Sequence, residues 1–138
     1  MIKKTVVVYL ALSLSGCFLG DHFTPSADAE ASFVGGDFCL TTPGRTEKQK
    51  LIGMSVEKVG ESPGSSTFFK SEDEYITIKK DTCIPTFGYK FEVGSAYNVS
   101  IYLTKDPERD ESNFYTNNYT TSFVIWETSK KDKRISYL

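Results

Sequence analysis

From Ser32 onward, apolar residues recur at every second position rather than every third or fourth. A period of two places alternate side chains on opposite faces of a strand and cannot build the stripe a helix needs. The clearest run is 95–104, with Tyr97, Val99, Ile101 and Leu103 on one face. In 119–127, Tyr119, Thr121, Phe123 and Ile125 alternate against Val124 and Trp126. In 50–59, Ile52, Met54 and Val56 are expected to point one way and Leu51, Gly53 and Ser55 the other. Shorter strands are expected at 38–42, 67–70, 74–80 and 134–138. The piece 83–91 contains Pro85, which cannot donate to a ladder, so it reads as an edge or bulged strand. Gly, Pro and Ser cluster at 60–66 as a turn, and 105–118 reads as a long polar loop.

Seven or eight short strands without a helix, in a chain that is 14% aromatic, predict an all-β fold. The expected architecture is an antiparallel β-sandwich of the immunoglobulin or fibronectin type III kind. Residues 91–101 resemble the E–F corner of such domains. There an apolar residue and a Gly precede a Tyr whose hydroxyl bonds to backbone a few residues upstream. Tyr97 is the candidate, beside the alternative of an ordinary strand-facing tyrosine.

The N-terminus carries a different signal. Met1-Ile2-Lys3-Lys4 is basic, an apolar run follows from Thr5 to Ser15, and small residues precede Cys17. This is the pattern of a secretory signal peptide, and the run is shorter than the roughly 20 residues a spanning helix needs. Leu14-Ser15-Gly16-Cys17 resembles a bacterial lipobox. That resemblance implies cleavage before Cys17, a thioether-linked diacylglycerol and an N-acyl (palmitate-type) chain on that residue, and a stable membrane anchor. In an enteric-type host, resemblance to lipoproteins sorted by the residue after the cysteine, here Phe18 rather than Asp, implies the outer membrane, with the protein facing the periplasm. The expected organisation is a signal peptide over 1–16, the lipidated Cys17 and a flexible tether over 17–32, and a β-sandwich over 33–138.

If Cys17 carries lipid, two cysteines remain. An even remainder in an oxidising compartment reads as a disulfide, and Cys39 with Cys83 is the single pairing available. A Cys-x-x-Cys redox motif is absent, and a metal site would need more imidazole or thiolate ligands. No metal and no cofactor are expected.

The remaining inventory favours binding over catalysis. The one histidine, His22, lies in the expected tether, so no Ser-His or Cys-His pair is available in the domain. Carboxylates cluster at Glu72-Asp73-Glu74 and in the 105–118 loop, interspersed with Lys and Arg. Such charged turns are the ordinary solution for a solvated surface, and the loop lacks EF-hand spacing. The formal charge of −2 becomes more negative once Lys3 and Lys4 are removed, which argues against a nucleic-acid partner. No small-molecule substrate is evident. Long loops on rigid scaffolds often bind. The expected contact residues for a protein partner are therefore Asp106, Glu108, Arg109, Asp110, Glu111, Phe114 and Tyr115, with the acidic groups steering and the aromatics anchoring.

Past residue 14 the chain resembles a family of small enterobacterial lipoproteins described as type VI secretion immunity proteins of the periplasm. The residues that carry the likeness are Leu14-Ser15-Gly16-Cys17, Cys39, and the run from Cys83 to Phe91 followed by Gly94, Tyr97, Val99 and Ser100. The resemblance implies a non-enzymatic protein that neutralises a toxin delivered to the periplasm by binding it. The alternative is a structural or adaptor lipoprotein of an envelope complex.

Overall fold

Two sheets of unequal size realise the expected all-β, sandwich-like fold. The computed structural model describes residues 27–105 and 117–138. Within them, in chain order, run β1 (Ala27–Asp28), β2 (Glu30–Val34), β3 (Asp37–Thr41), β4 (Lys50–Lys58), β5 (Ser65–Phe68), β6 (Ile76–Thr77), β7 (Ala96–Leu103), β8 (Asn118–Glu127) and β9 (Lys133–Tyr137). The large sheet has the order β1-β8-β7-β4-β5, with β6 also on β4 and β9 also on β8. The small sheet is the β2–β3 hairpin. Cys17, the signal peptide, His22 and the 106–116 stretch with all seven expected partner-contact residues lie outside the described residues.

The interior face follows the alternation. On β7, Tyr97, Val99, Ile101 and Leu103 are buried, and on β8 so are Tyr119, Thr121, Phe123 and Ile125. The hairpin covers them with Ala31 and Leu40, joined at the margin by Phe33 and Phe38. Phe38 stacks on Phe91 at 4.1 Å between centroids, and Phe91 meets Tyr97 edge-on at 4.9 Å. Such offset and edge-to-face pairs are the arrangements that ring quadrupoles favour.

Five expectations need correction. The tether does not extend to residue 32: from Ala27 the chain is already in strands, and Ala29 and Ala31 are buried. The alternation of Ala29 and Ala31 with Asp28, Glu30 and Ser32 is period two, but alanine contributes too little apolar area to stand out. β1 pairs parallel to β8, with Ala27 opposite Tyr119, the one departure from antiparallel pairing among the described strands. The chain crosses to the small sheet directly afterwards, with the Ala29 N–H still donating to the Thr120 carbonyl at 2.9 Å.

Residues 74–80 are not one strand. Glu72–Glu74 forms a 3-10 turn and only Ile76–Thr77 pairs with β4. Residues 83–91 are not a strand at all. Pro85 cannot donate to a ladder, and the backbone bond that reaches β3 runs from the Ile84 N–H to the Leu40 carbonyl at 2.7 Å.

Along β4 the faces are not as the simple alternation predicts. Leu51 is buried together with Met54 and Val56. The register against β7 shifts between Leu51 and Gly53, and such a bulge reverses the phase of the side chains beyond it. On the other edge of β4, the missing side chain of Gly53 lets β5 approach closely. A Cβ on Gly53 would meet the Phe68 ring and lie 2.6 Å from the Thr67 carbonyl oxygen. The ring can turn away, but the carbonyl is part of the ladder. Gly53→Val is therefore expected to destabilise by about 1–3 kcal/mol and to loosen β5 first. Denaturant unfolding, with amide exchange at 65–68, reads both effects.

Candidate functional site

The small sheet is too narrow to cover the inner face of the large one. Over β4 and β5 its place is taken by the irregular segment 83–91. Beneath that segment runs an open groove of about 320 Å3, lined among others by Met54, Val56, Ser65, Thr67, Phe87 and Lys90.

The covering segment is held at three points. At its start, Cys83 is disulfide-bonded to Cys39 of β3, the pairing expected from the cysteine count. Just upstream, the buried guanidinium of Arg45 donates from Nη1 to the Ile78 carbonyl at 2.7 Å and from Nη2 to the Lys79 carbonyl. Burial lowers the Arg45 pKa, while the Tyr119, Asp81 and Glu47 charges oppose that shift. Two backbone carbonyls therefore fix a cation that would otherwise favour solvent.

At the far end, the Tyr97 hydroxyl accepts from the Glu92 N–H at 2.8 Å. This is the tyrosine corner that the Gly94/Tyr97 spacing suggested. Tyr97 is fully buried. Glu92 is further tied to Lys58, Nζ to Oε2 at 2.9 Å, while Lys58 also contacts Glu61 at 3.0 Å. The hydrogen bond to Lys58 holds the Glu92 carboxyl below its ordinary pKa, and the two carboxylates raise that of Lys58. This exposed pair helps only while Glu92 is ionised, so its small contribution is present at neutral pH and is lost as the pH falls through the lowered carboxyl pKa.

Between those anchors the segment turns tightly. The Tyr89 N–H donates to the Thr86 carbonyl at 3.0 Å, and both central residues have positive φ, Phe87 at 52° and Gly88 at 75°. Gly88 adopts this region freely, as in a type I′ turn. A bulky residue at position 87 is a true outlier and costs about 1–3 kcal/mol. The conformation holds the Phe87 ring at the rim of the groove, 37% exposed, with Phe69 edge-on at 5.8 Å. On the opposite face Phe68 is 50% exposed and tilted against Tyr102 at 5.2 Å. Aromatic rings therefore flank the β5 edge on both sides of the sheet.

Of the residues the sequence nominated, the structure brings together Cys39 and Cys83, and it gives Tyr97 its corner role. Sequence reasoning missed Arg45, Phe68, Phe87 and the β5 edge. Phe87-Gly88 carried a faint signal, since a residue before Gly in a Pro-broken segment often lies in a turn. Arg45 carried none, because burial of an arginine depends on which carbonyls the fold brings to it. A larger cleft of about 470 Å3 lies between β1, the start of β2 and the end of β9. It sits where β8 changes partner from β1 to β9, so the topology accounts for it.

No cluster of His, Cys, Asp and Glu suited to a metal ion occurs among the described residues. Nor, among them, is any helix long and apolar enough to cross a membrane. Residues 26–128 match the family model of a domain of unknown function, DUF7480. No curated protein and no solved structure matches the chain.

Proposed function

The chain belongs to the DUF7480 family, a domain of unknown function, and from that starting point we propose that it is a lipid-anchored periplasmic binding protein. Its task on this reading is to neutralise an effector of type VI secretion by direct contact. The observation that carries a binding role is the exposed aromatic rim around the β5 edge. Phe87 is held there in a costly backbone conformation by a segment anchored at both ends. Strain retained at an exposed aromatic suits a contact surface better than a structural filler. The anchor and its membrane face rest on the Leu14-to-Cys17 motif and on Phe18. A tethered binder needs a rigid scaffold and a complementary surface, and no catalysis.

Two experiments test the parts separately. Cys17→Ser is expected to release the domain into the soluble periplasmic fraction or leave it as unprocessed precursor; a wild-type chain that fractionates as soluble would remove the anchor. If an antibacterial toxin is encoded beside it, co-expression of the two is expected to protect cells and to yield a complex of the two proteins. No toxin gene nearby, or no protection and no complex, would overturn the immunity role. An envelope defect on deletion, with no toxin present, would instead favour an adaptor.

A further inference from the structure

Among the described residues, each longer strand edge is guarded except one. The outer edge of β3 is covered by the 83–84 segment through the disulfide and the Ile84 N–H bond to Leu40. The edge of β2 is capped by a side chain: the Tyr137 hydroxyl accepts from the Ala31 N–H at 3.1 Å and donates to the Ala31 carbonyl at 2.9 Å. The last strand, β9, carries Lys133 and Arg134. These are the usual ways an edge is kept from pairing with another chain. β5 ends the large sheet with the sequence Ser-Ser-Thr-Phe, without a charge or a proline, and among the described residues no side chain caps its outer edge.

The register says which groups are on offer. The Phe69 N–H donates to the Ile52 carbonyl at 3.0 Å, and Thr67 and Ser65 lie opposite Met54 and Val56. In an antiparallel pair the hydrogen-bonded positions alternate. Ser66 and Phe68 therefore turn their N–H and C=O groups away from β4, toward the open side. The groove borders this edge from above, over the inner face of β4 and β5, and Lys90 is the one charged side chain among the described residues that line it.

We propose that β5 is a docking edge that takes an extended segment of a partner protein as an added strand. The segment's alternate apolar side chains enter the groove beside Phe87, and a carboxylate of the segment faces Lys90. Main-chain bonds to Ser66 and Phe68 supply the pairing, and the groove supplies selectivity for alternate side chains. Lys90 sets the sign of the complementary charge. This mode rests on the reading of the domain as a binder, but not on the partner being a toxin.

The test uses the oxidised full-length chain and a displayed library of random decapeptides. Enriched peptides are expected to alternate apolar residues, to lack proline in the paired stretch and to carry Asp or Glu. Amide exchange at Ser66 and Phe68 should slow on binding. Ser66→Pro removes an outward N–H that β4 does not use, so the protein should keep its unfolding midpoint while binding weakens about tenfold or more. Lys90→Glu, a surface change that leaves the strand untouched, should select against the acidic peptides. Failure to enrich peptides, peptides that bind Ser66→Pro equally well, or protection elsewhere would overturn the proposal. Failure of the toxin experiment with success here would remove the immunity role and leave the docking edge.

Discussion

Replacing Cys39 and Cys83 together by alanine is expected to lower the stability by about 4 kcal/mol. The two residues are separated by 44 positions, and closing a loop of that length removes about this much conformational freedom from the unfolded chain on the chain-entropy model. Since a domain of this size has only about 5–15 kcal/mol in total, the loss is a large fraction. It should fall unevenly. Cys39 sits in a paired strand, whereas Cys83 begins a segment with a single backbone bond to β3. Equilibrium unfolding of the oxidised wild type and the double variant measures the total. Amide exchange through 84–91 should accelerate more than exchange in β7 and β8. A stability change under about 1 kcal/mol would mean that the segment is held by its packing and not by the staple.

The second large effect is at Tyr97. Tyr97→Ala removes a fully buried ring that touches Tyr89, Phe91 and Phe123, and large aromatic truncations in a core cost about 3–5 kcal/mol. Tyr97→Phe keeps the ring and removes only the oxygen that accepts from the Glu92 N–H. It is expected to cost about 1–3 kcal/mol, because the donor loses its acceptor in a partly buried place. The two variants separate packing from the corner. If Tyr97→Phe unfolds at the wild-type midpoint, the hydroxyl does not pin the crossover, and the segment's far end depends on the Lys58–Glu92 pair and on ring contacts alone.

The parts of the fold that were legible in the sequence are those where a strong period meets a strong side chain. β7 and β8 alternate large apolar residues over eight and ten positions, so their inward faces could be named residue by residue. β2 was not seen, because its inward positions include Ala31, whose small side chain barely marks the period. The hairpin signal was nevertheless there in Gly35-Gly36, whose φ values of 59° and 88° suit a tight two-residue turn. The face of Leu51 was misplaced because a bulge is a property of two strands in register, and a single strand's pattern does not reveal its partner's count. The disulfide was legible through the compartment that Cys17 implies, and the corner through the spacing of Gly94 and Tyr97. The β5 edge was not legible. Which strand ends a sheet, and which edges other segments cover, follow from topology. The residues proposed from loop length, Asp106 to Tyr115, lie outside the described chain, and the binding role now rests on other residues.

On the proposed function the protein occupies a partner without altering it. Titrating the purified toxin with the oxidised chain tests this directly. Inhibition is expected to rise linearly, to saturate at one chain per toxin molecule, and to reverse when the complex is diluted below its dissociation constant. Complete inhibition at a small fraction of that ratio, or inhibition that persists after the chain is removed, would point to catalysis and contradict the account.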